Sequence, residues 1–269
     1  DSAQIKSSII LASLYSSEKT NIIENIKSRD HTENMINYLG GSITTINNKI
    51  TVNPEKKLVS NDIEIPGDIS SAMFIIVGCL ISRKSKVIIK NVGLNELRTG
   101  GIEILKLMGA NIQIDNIRKY GPEKIGDIIV YSSELKGINI PEKYIASAID
   151  EFPILFIAAA NASGKTILKN AMELRFKESD RLASMSKGLL KCNINNSLLD
   201  DGIEIEGGKI SGATIDSFDD HRIAMSFAIA GIASSGTITI LNTENVSTSF
   251  PGFDNLMRKM GLKIKRENI

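Results

Sequence analysis

Charged residues gather at a few points of this sequence, each just before an apolar stretch. The densest is ELRFKESDRL, Glu173 to Leu182, where Arg175, Lys177, Glu178, Asp180 and Arg181 precede a helical pattern containing Leu182 and Met185. A helix start offers unpaired N–H groups and a partial positive charge, so neighbouring Lys and Arg make it an anion site. Arg grips a carboxylate or phosphate with two parallel hydrogen bonds, while Lys supplies a point charge that can also lose a proton. A Glu among such cations can move a proton beside a bound anion. The plainer explanation is a solvated charge run at a helix start.

Three further clusters have the same layout. In SFDDHRIAMSFAIAG, Asp219, Asp220, His221 and Arg222 stand before another apolar helix. A lone His is more often a packing or hydrogen-bonding residue than a catalyst, so Arg222 is the better candidate for a ligand contact. Asp150 and Glu151 occupy the equivalent point of the preceding segment. Capping of a helix explains one of these acids; the pair suggests that at least one faces a shared cleft. Finally Ser2, Ala3 and Gln4 open a helix, with Arg29 following in SRDHTE. A hydroxyl, an amide and a guanidinium suit a phosphorylated polyol, because each bonds hydroxyl or phosphate oxygens.

The elements that must position these clusters repeat. A small-residue-rich apolar helix, a polar break, a β-branched strand and a turn residue recur from Ala3, Asp68, Asp150 and Asp220. After each copy comes an amphipathic helix running into a strand: HTENMINYLGGSITTI, GGIEILKLMGANIQI, RLASMSKGLLKCNINN and FDNLMRKMGLKIK. The first kind of helix is apolar nearly all round and is expected to be buried, the second more exposed. Gly40, Gly109 and Gly261 are placed to close three of the outer helices. Each unit reads roughly as βαβαββ. The polar stretch Asn48 to Pro66 separates the first copy from the rest, which places a domain boundary near Ile65. Residues 1–65 are expected to be the last unit of an incomplete first domain, and residues 66–269 a second domain of three units. A single unit cannot bury its own inner helix, so the sequence is expected to be part of a longer protein, its first helix beginning at Asp1.

Bulk properties narrow the classes. The 269 residues are 42% hydrophobic and 23% charged with a formal net charge of +1. That is ordinary for a globular protein, and nothing marks the surface as a nucleic-acid or membrane binder. The longest apolar run, Ala72 to Ile81, is too short to cross a bilayer. Cys79 and Cys192 make no disulfide framework and are expected to be buried thiols in a reducing compartment.

Taken together, the motifs resemble the 5-enolpyruvylshikimate-3-phosphate synthase family, kin to the UDP-N-acetylglucosamine enolpyruvyl transferases. SAQIKS, RDHTE, IPGDISSA, VGLNELRTG, AIDEFPIL, ELRFKESDRL, DDHRIAM and TSFPGF carry the likeness across the whole chain. The resemblance implies an α/β (α+β) enolpyruvyl-transferase fold: inside-out α/β barrel domains of βαβαββ units with buried helices. It implies transfer of the enolpyruvyl group of phosphoenolpyruvate to the 5-hydroxyl of shikimate 3-phosphate, in the cytoplasm, by a monomer when full length. No metal, organic cofactor, nucleic acid or membrane is implied, and this chain alone is expected to be inactive. Shikimate 3-phosphate would be held by Ser2, Ala3, Gln4, Arg29, Asp150 and Lys177. Phosphoenolpyruvate would be held by Gln4, Lys177, Arg181, His221 and Arg222. Asp150, Lys177 and Glu178 would be the catalytic groups. Thr248 stands where many members carry a Lys, which leaves that phosphoenolpyruvate contact open. The competing expectations are a UDP-N-acetylglucosamine enolpyruvyl transferase and a non-catalytic module on the same scaffold.

Overall fold

The computed structural model describes residues 2–267; Asp1, where the sequence places the start of its first helix, and Asn268 and Ile269, the end of the expected second domain, lie outside the described residues. The first three repeats take one form. The first runs α1 (Ala3–Ser13), β1 (Thr20–Ile23), α2 (His31–Tyr38), β2 (Ser42–Ile46) and β3 (Lys49–Asn53). The second runs α3 (Ile69–Ile81), β4 (Lys86–Gly93), α4 (Gly100–Leu107), β5 (Asn111–Tyr120) and β6 (Glu123–Tyr131). The third runs α5 (Phe152–Ala160), β7 (Lys165–Leu168), α6 (Arg181–Lys191), β8 (Asn196–Leu198) and β9 (Ile203–Glu206). The fourth has β10 (Ala213–Asp216), α7 (His221–Ala230), β11 (Ile238–Leu241), a short α8 (Val246–Ser249) and α9 (Phe253–Lys259).

In the first three repeats the last strand is central to an antiparallel sheet, in the orders β1-β3-β2, β4-β6-β5 and β7-β9-β8. The leading strands expected from the pattern are short. Parallel bridges join Gly67 to Val92, Lys136 to Ser163 and Asn139 to Ile167, and β10 pairs in parallel with β11. An inner helix therefore crosses between parallel strands, as parallel pairing requires.

Burial explains the composition of the inner helices. All nine residues of α5, FPILFIAAA, are buried, and α3, α5 and α7 pack on one another. Each large aliphatic or aromatic side chain so buried stabilises the fold by about 1.5–3 kcal/mol. Helix α1 departs from this expectation. Ile10 is buried, but Ile5, Ile9 and Leu11 are exposed. Its neighbours are α2, β1 and β3, and among the described residues no other inner helix packs on it. Buried apolar residues accordingly form two clusters, a small one of Ile10, Ile36, Ile43, Ile50 and Val52 and a large one running from Ile69 to Met257.

Gly40, Gly109 and Gly261 close α2, α4 and α9 with φ of +85°, +92° and +98°, and Asn193 serves α6 with φ of +63°. The strand expected after α9 is absent among the described residues. Leu262 and Ile264 rest partly buried on the large cluster. In the other repeats this strand pairs with the third strand of its own unit, and the fourth repeat has no such strand among the described residues. Cys79 and Cys192 are buried and unpaired, and burial raises the pKa of both thiols. Among the described residues, no helix is long and apolar enough to cross a membrane.

The outer helix α6 rides directly on the inner helix α7. A Cβ on Gly188 would come within 2.2 Å of the Phe227 ring, which is itself fully buried. Gly188→Ala is expected to force the two helices apart and cost about 1–3 kcal/mol. Urea unfolding checks this; an unchanged midpoint would show that the ring yields freely.

Candidate active site

The starts of four helices carry acids, and most of these are caps. Asp68 accepts from Ser71 N at 3.0 Å, Asp180 from Ala183 N at 3.0 Å and Asp220 from Arg222 N at 2.9 Å. Capping satisfies an N–H that the helix itself leaves open. It does not account for Asp150 or Glu151: α5 starts at Phe152 with Glu151 at its N-cap position, and no side chain caps it.

Asp150 instead faces four cations. Arg29 Nη2 donates to Oδ2. Lys177 Nζ lies 3.7 Å and Arg181 Nη1 3.6 Å from Oδ1. Arg222 Nη2 lies 3.9 Å from Oδ2, and Arg222 Nη1 donates to the Asp150 main-chain carbonyl at 2.9 Å. Burial pushes the Asp150 pKa up, but Arg222, Arg29, Lys177 and Arg181 together outweigh it and hold the pKa at about 2.

The cations are themselves fixed by acids. Arg181, with a side chain 1% exposed, donates through Nε to the buried Asp220 at 2.9 Å and through Nη2 to Glu178 at 2.5 Å. Burial opposes ionisation of Asp220, yet Arg181 and the hydrogen bonds around it keep its pKa low. Arg181 Nη1 is buried without a hydrogen-bond partner, an open charged donor beside Asp150. Lys177 also donates to Glu173 at 2.5 Å. Behind Asp150, the buried Glu151 accepts from the Ser70 hydroxyl and lies 3.8 Å from Arg222 Nη1. Burial raises the Glu151 pKa, against Arg222 and the Ser70 bond. Arg98 Nη2 donates to Ser70 Oγ at 2.7 Å and to Asp68 at 2.9 Å.

Of the residues singled out in the sequence, Arg29, Asp150, Lys177, Arg181 and Arg222 thus meet at one point, with Glu178 attached through Arg181. His221 starts α7 beside Arg222. Burial, then the Arg222 charge, lowers its pKa, so its imidazole is neutral near pH 7. Ser2, Ala3 and Gln4 open α1. Ser2 accepts from Ile5 N at 3.5 Å, and no hydrogen bond or ion pair joins the three to the Asp150 group. Further along α1, the buried Lys6 donates to Glu24 at 3.2 Å and to the carbonyl of Ser28, next to Arg29, at 3.3 Å. Thr248 is exposed on α8, its hydroxyl bonded to the Asn245 carbonyl at 2.8 Å. Neither Ser70 nor Arg98 is singled out by the sequence, and Glu151 stands out there only beside Asp150, as a cap or a cleft-facing acid. Their signals were present in IPGDISSA, VGLNELRTG and AIDEFPIL, but only the folded chain shows that they form one relay. Among the described residues, no group of three or more His, Cys, Asp or Glu side chains is placed to hold a metal ion.

Buried helices inside, sheets outside and helix starts meeting at mixed charges define the enolpyruvyl-transferase fold. The enolpyruvyl transferase NikO from Streptomyces tendae superimposes with a TM-score of 0.74 at 16% identity, over 96% of this chain and 60% of that one. EPSP synthase from Acinetobacter baumannii superimposes with a TM-score of 0.95 at 48% identity, over 100% of this chain and 62% of that one. The 3-phosphoshikimate 1-carboxyvinyltransferase of Legionella pneumophila (strain Lens) is 50% identical over 252 residues, 94% of this chain and 58% of the relative. Its counterpart from Coxiella burnetii (strain RSA 331 / Henzerling II) is 46% identical over 264 residues, 98% of this chain and 60% of the relative. The profile described as EPSP synthase (3-phosphoshikimate 1-carboxyvinyltransferase) matches residues 1–257. The chain belongs to the EPSP synthase family, and it spans 58–60% of the length of these two curated relatives.

The ionised Asp150 should be visible in acid. Its pKa is lowered from 3.8 to about 2, so the stability it contributes is present above the unfolded value and lost as pH falls toward 2. That contribution is about 2 kcal/mol. Urea unfolding between pH 5 and 2 should show a shallower acid-side loss in Asp150→Asn than in the parent. Parallel curves would disprove the assignment.

Proposed function

We propose that this chain supplies part of the active site of a 3-phosphoshikimate 1-carboxyvinyltransferase, which moves the enolpyruvyl group of phosphoenolpyruvate to shikimate 3-phosphate and releases phosphate. The observation that carries the reading is the set of four cations around Asp150, with an unused Arg181 N–H pointing at the same place. Two anionic substrates brought together need this density of positive charge. Both named relatives act on shikimate 3-phosphate by their names, which agrees with it.

In this reading Arg29, with Ser2, Ala3 and Gln4, holds shikimate 3-phosphate from residues 1–65, the end of a first domain. Residues 66–269 form a second domain across the cleft. The separate apolar clusters and the mostly exposed stretch over residues 54–66, which is neither helix nor strand, support that division. Arg181 and Arg222 clamp phosphoenolpyruvate, with Gln4 and the neutral His221 beside them, and Lys177 bridges the two substrates. The 5-hydroxyl gives up its proton as its oxygen bonds to the central carbon of phosphoenolpyruvate, whose double bond opens as the methylene carbon takes a proton and becomes a methyl group. Loss of phosphate and of one methyl proton then restores the double bond. Lys177 and Glu178 carry the protons. Asp150, whose pKa of about 2 keeps it ionised near pH 7, accepts a hydrogen bond from the 5-hydroxyl and orients it. We place the protein in the cytoplasm, as a monomer, on the family likeness and on its two unpaired buried thiols.

In the full-length protein, Lys177→Met and Glu178→Gln are each expected to lower kcat about a hundredfold, within the range for a lost proton carrier, with the fold retained. Near-normal turnover in either variant would overturn its role. Titration calorimetry of shikimate 3-phosphate into the 269-residue chain alone should detect no micromolar binding; tight binding would refute the need for the additional length its relatives have.

A further inference from the structure

Three consecutive residues reach from residues 2–53 to the large cluster: Arg29, Asp30 and His31. Arg29 meets Asp150, but the other two go elsewhere. Asp30 Oδ1 accepts from Asn95 Nδ2 at 2.6 Å, and His31 Nδ1 lies 2.6 Å from Glu123 Oε1. Among the described residues, no side-chain hydrogen bond or ion pair joins Asn95 or Glu123 to the charged group around Asp150.

Both anchors are tied into the backbone around them. Asn95 Oδ1 accepts from Leu97 N at 2.9 Å, and its carbonyl accepts from Arg98 N at 2.8 Å. This turn leaves the Asn95 amide free to face Asp30. The N–H of Leu94, a core residue 4% exposed, donates to the Lys124 carbonyl at 2.8 Å. That bond ties together the residues next to Asn95 and Glu123. The Glu123 side chain is 10% exposed. On the other side of Arg29, Ser28 gives its N–H to Glu24 at 3.3 Å and accepts from Lys6 through its carbonyl. The backbone that carries Arg29 is therefore held on both sides, which fixes where its long side chain leaves the chain and lowers the ordering cost of a ligand contact.

We infer that Asn95 and Glu123 are positioning residues: acting through Asp30 and His31, they aim Arg29 at the anionic substrate beside Asp150. The substrate's identity as shikimate 3-phosphate rests on the function proposed above; the aiming itself does not.

The test uses the full-length protein. Asn95→Asp keeps the acceptor for Leu97 N but turns a carboxylate toward Asp30; Glu123→Ala removes the acceptor for His31. The double variant is expected to raise KM for shikimate 3-phosphate about tenfold, the size of coupling between neighbouring groups. KM for phosphoenolpyruvate and kcat should stay within about twofold. Glu123→Gln, which keeps an acceptor, should stay near the parent. In an Arg29→Ala background the double variant should cost nothing more. An equal loss in that background, or kcat and both KM values failing together, overturns the inference. A second measurement is independent of substrate. Nitroxides on the exposed Lys49→Cys and Lys119→Cys should give one narrow interspin distance that broadens in the double variant, and an unchanged distribution also overturns it. If Arg29→Ala alone leaves KM for shikimate 3-phosphate unchanged, the substrate reading fails, and the distance measurement still decides the aiming.

Discussion

Asp150 bears a negative charge where only 14% of its side chain is exposed, because cations from the first, third and fourth repeats surround it. The same fact read from the other side is the real constraint. Arg29, Lys177, Arg181 and Arg222 repel one another, and unit charges about 4 Å apart in a protein interact by about 4 kcal/mol at an effective dielectric of 20. Such a group cannot persist without anions between its members. Asp150 fills that need together with Asp220, Glu178 and Glu173. A site of this kind is suited to exchanging its own carboxylates for those and the phosphates of ligands, since the positive charge is already assembled.

Assembly of the charge follows from the repeats. An inner helix without a polar face has to be surrounded, and α3, α5 and α7 surround one another. Their starts consequently share one end of the core, where the acids at those starts and the arginines beside them come together. Outer helix α6 brings Arg181 to the same place because Gly188 lets it lie against Phe227. The packing of a methyl-sized gap and the placement of a guanidinium are, in this protein, one problem.

Much of this was legible in the residues. The four copies, the buried inner helices of the last three, the left-handed closing glycines and the charged segments all follow from local composition and period. Other features depend on neighbours that no local pattern names. Leu262 and Ile264 alternate like a strand, yet pairing needs a partner strand. Ile5, Ile9 and Leu11 look like the core face of an inner helix, but α1 has no second inner helix packed on it among the described residues. The chain from Arg98 through Ser70 to Glu151 joins three segments far apart in sequence. Asn193 stands where the other repeats use glycine, because its short amide side chain tolerates the same backbone. Ser2, Ala3 and Gln4 stand at a helix start as the motif required, although their bonds do not reach the Asp150 group.

The two unpaired cysteines give the fold a built-in clock. Cys79 lies within α3, its sulfur 3.5 Å from the Val130 carbonyl, and Cys192 lies just beyond α6. A thiol that is both covered and reluctant to ionise reacts with alkylating reagents only when its surroundings open. Because the two sit in adjacent repeats, the rates at which they become labelled compare the breathing of one repeat with that of the next. Equal rates would mean that the repeats open as one body; unequal rates would mark where the stack begins to come apart.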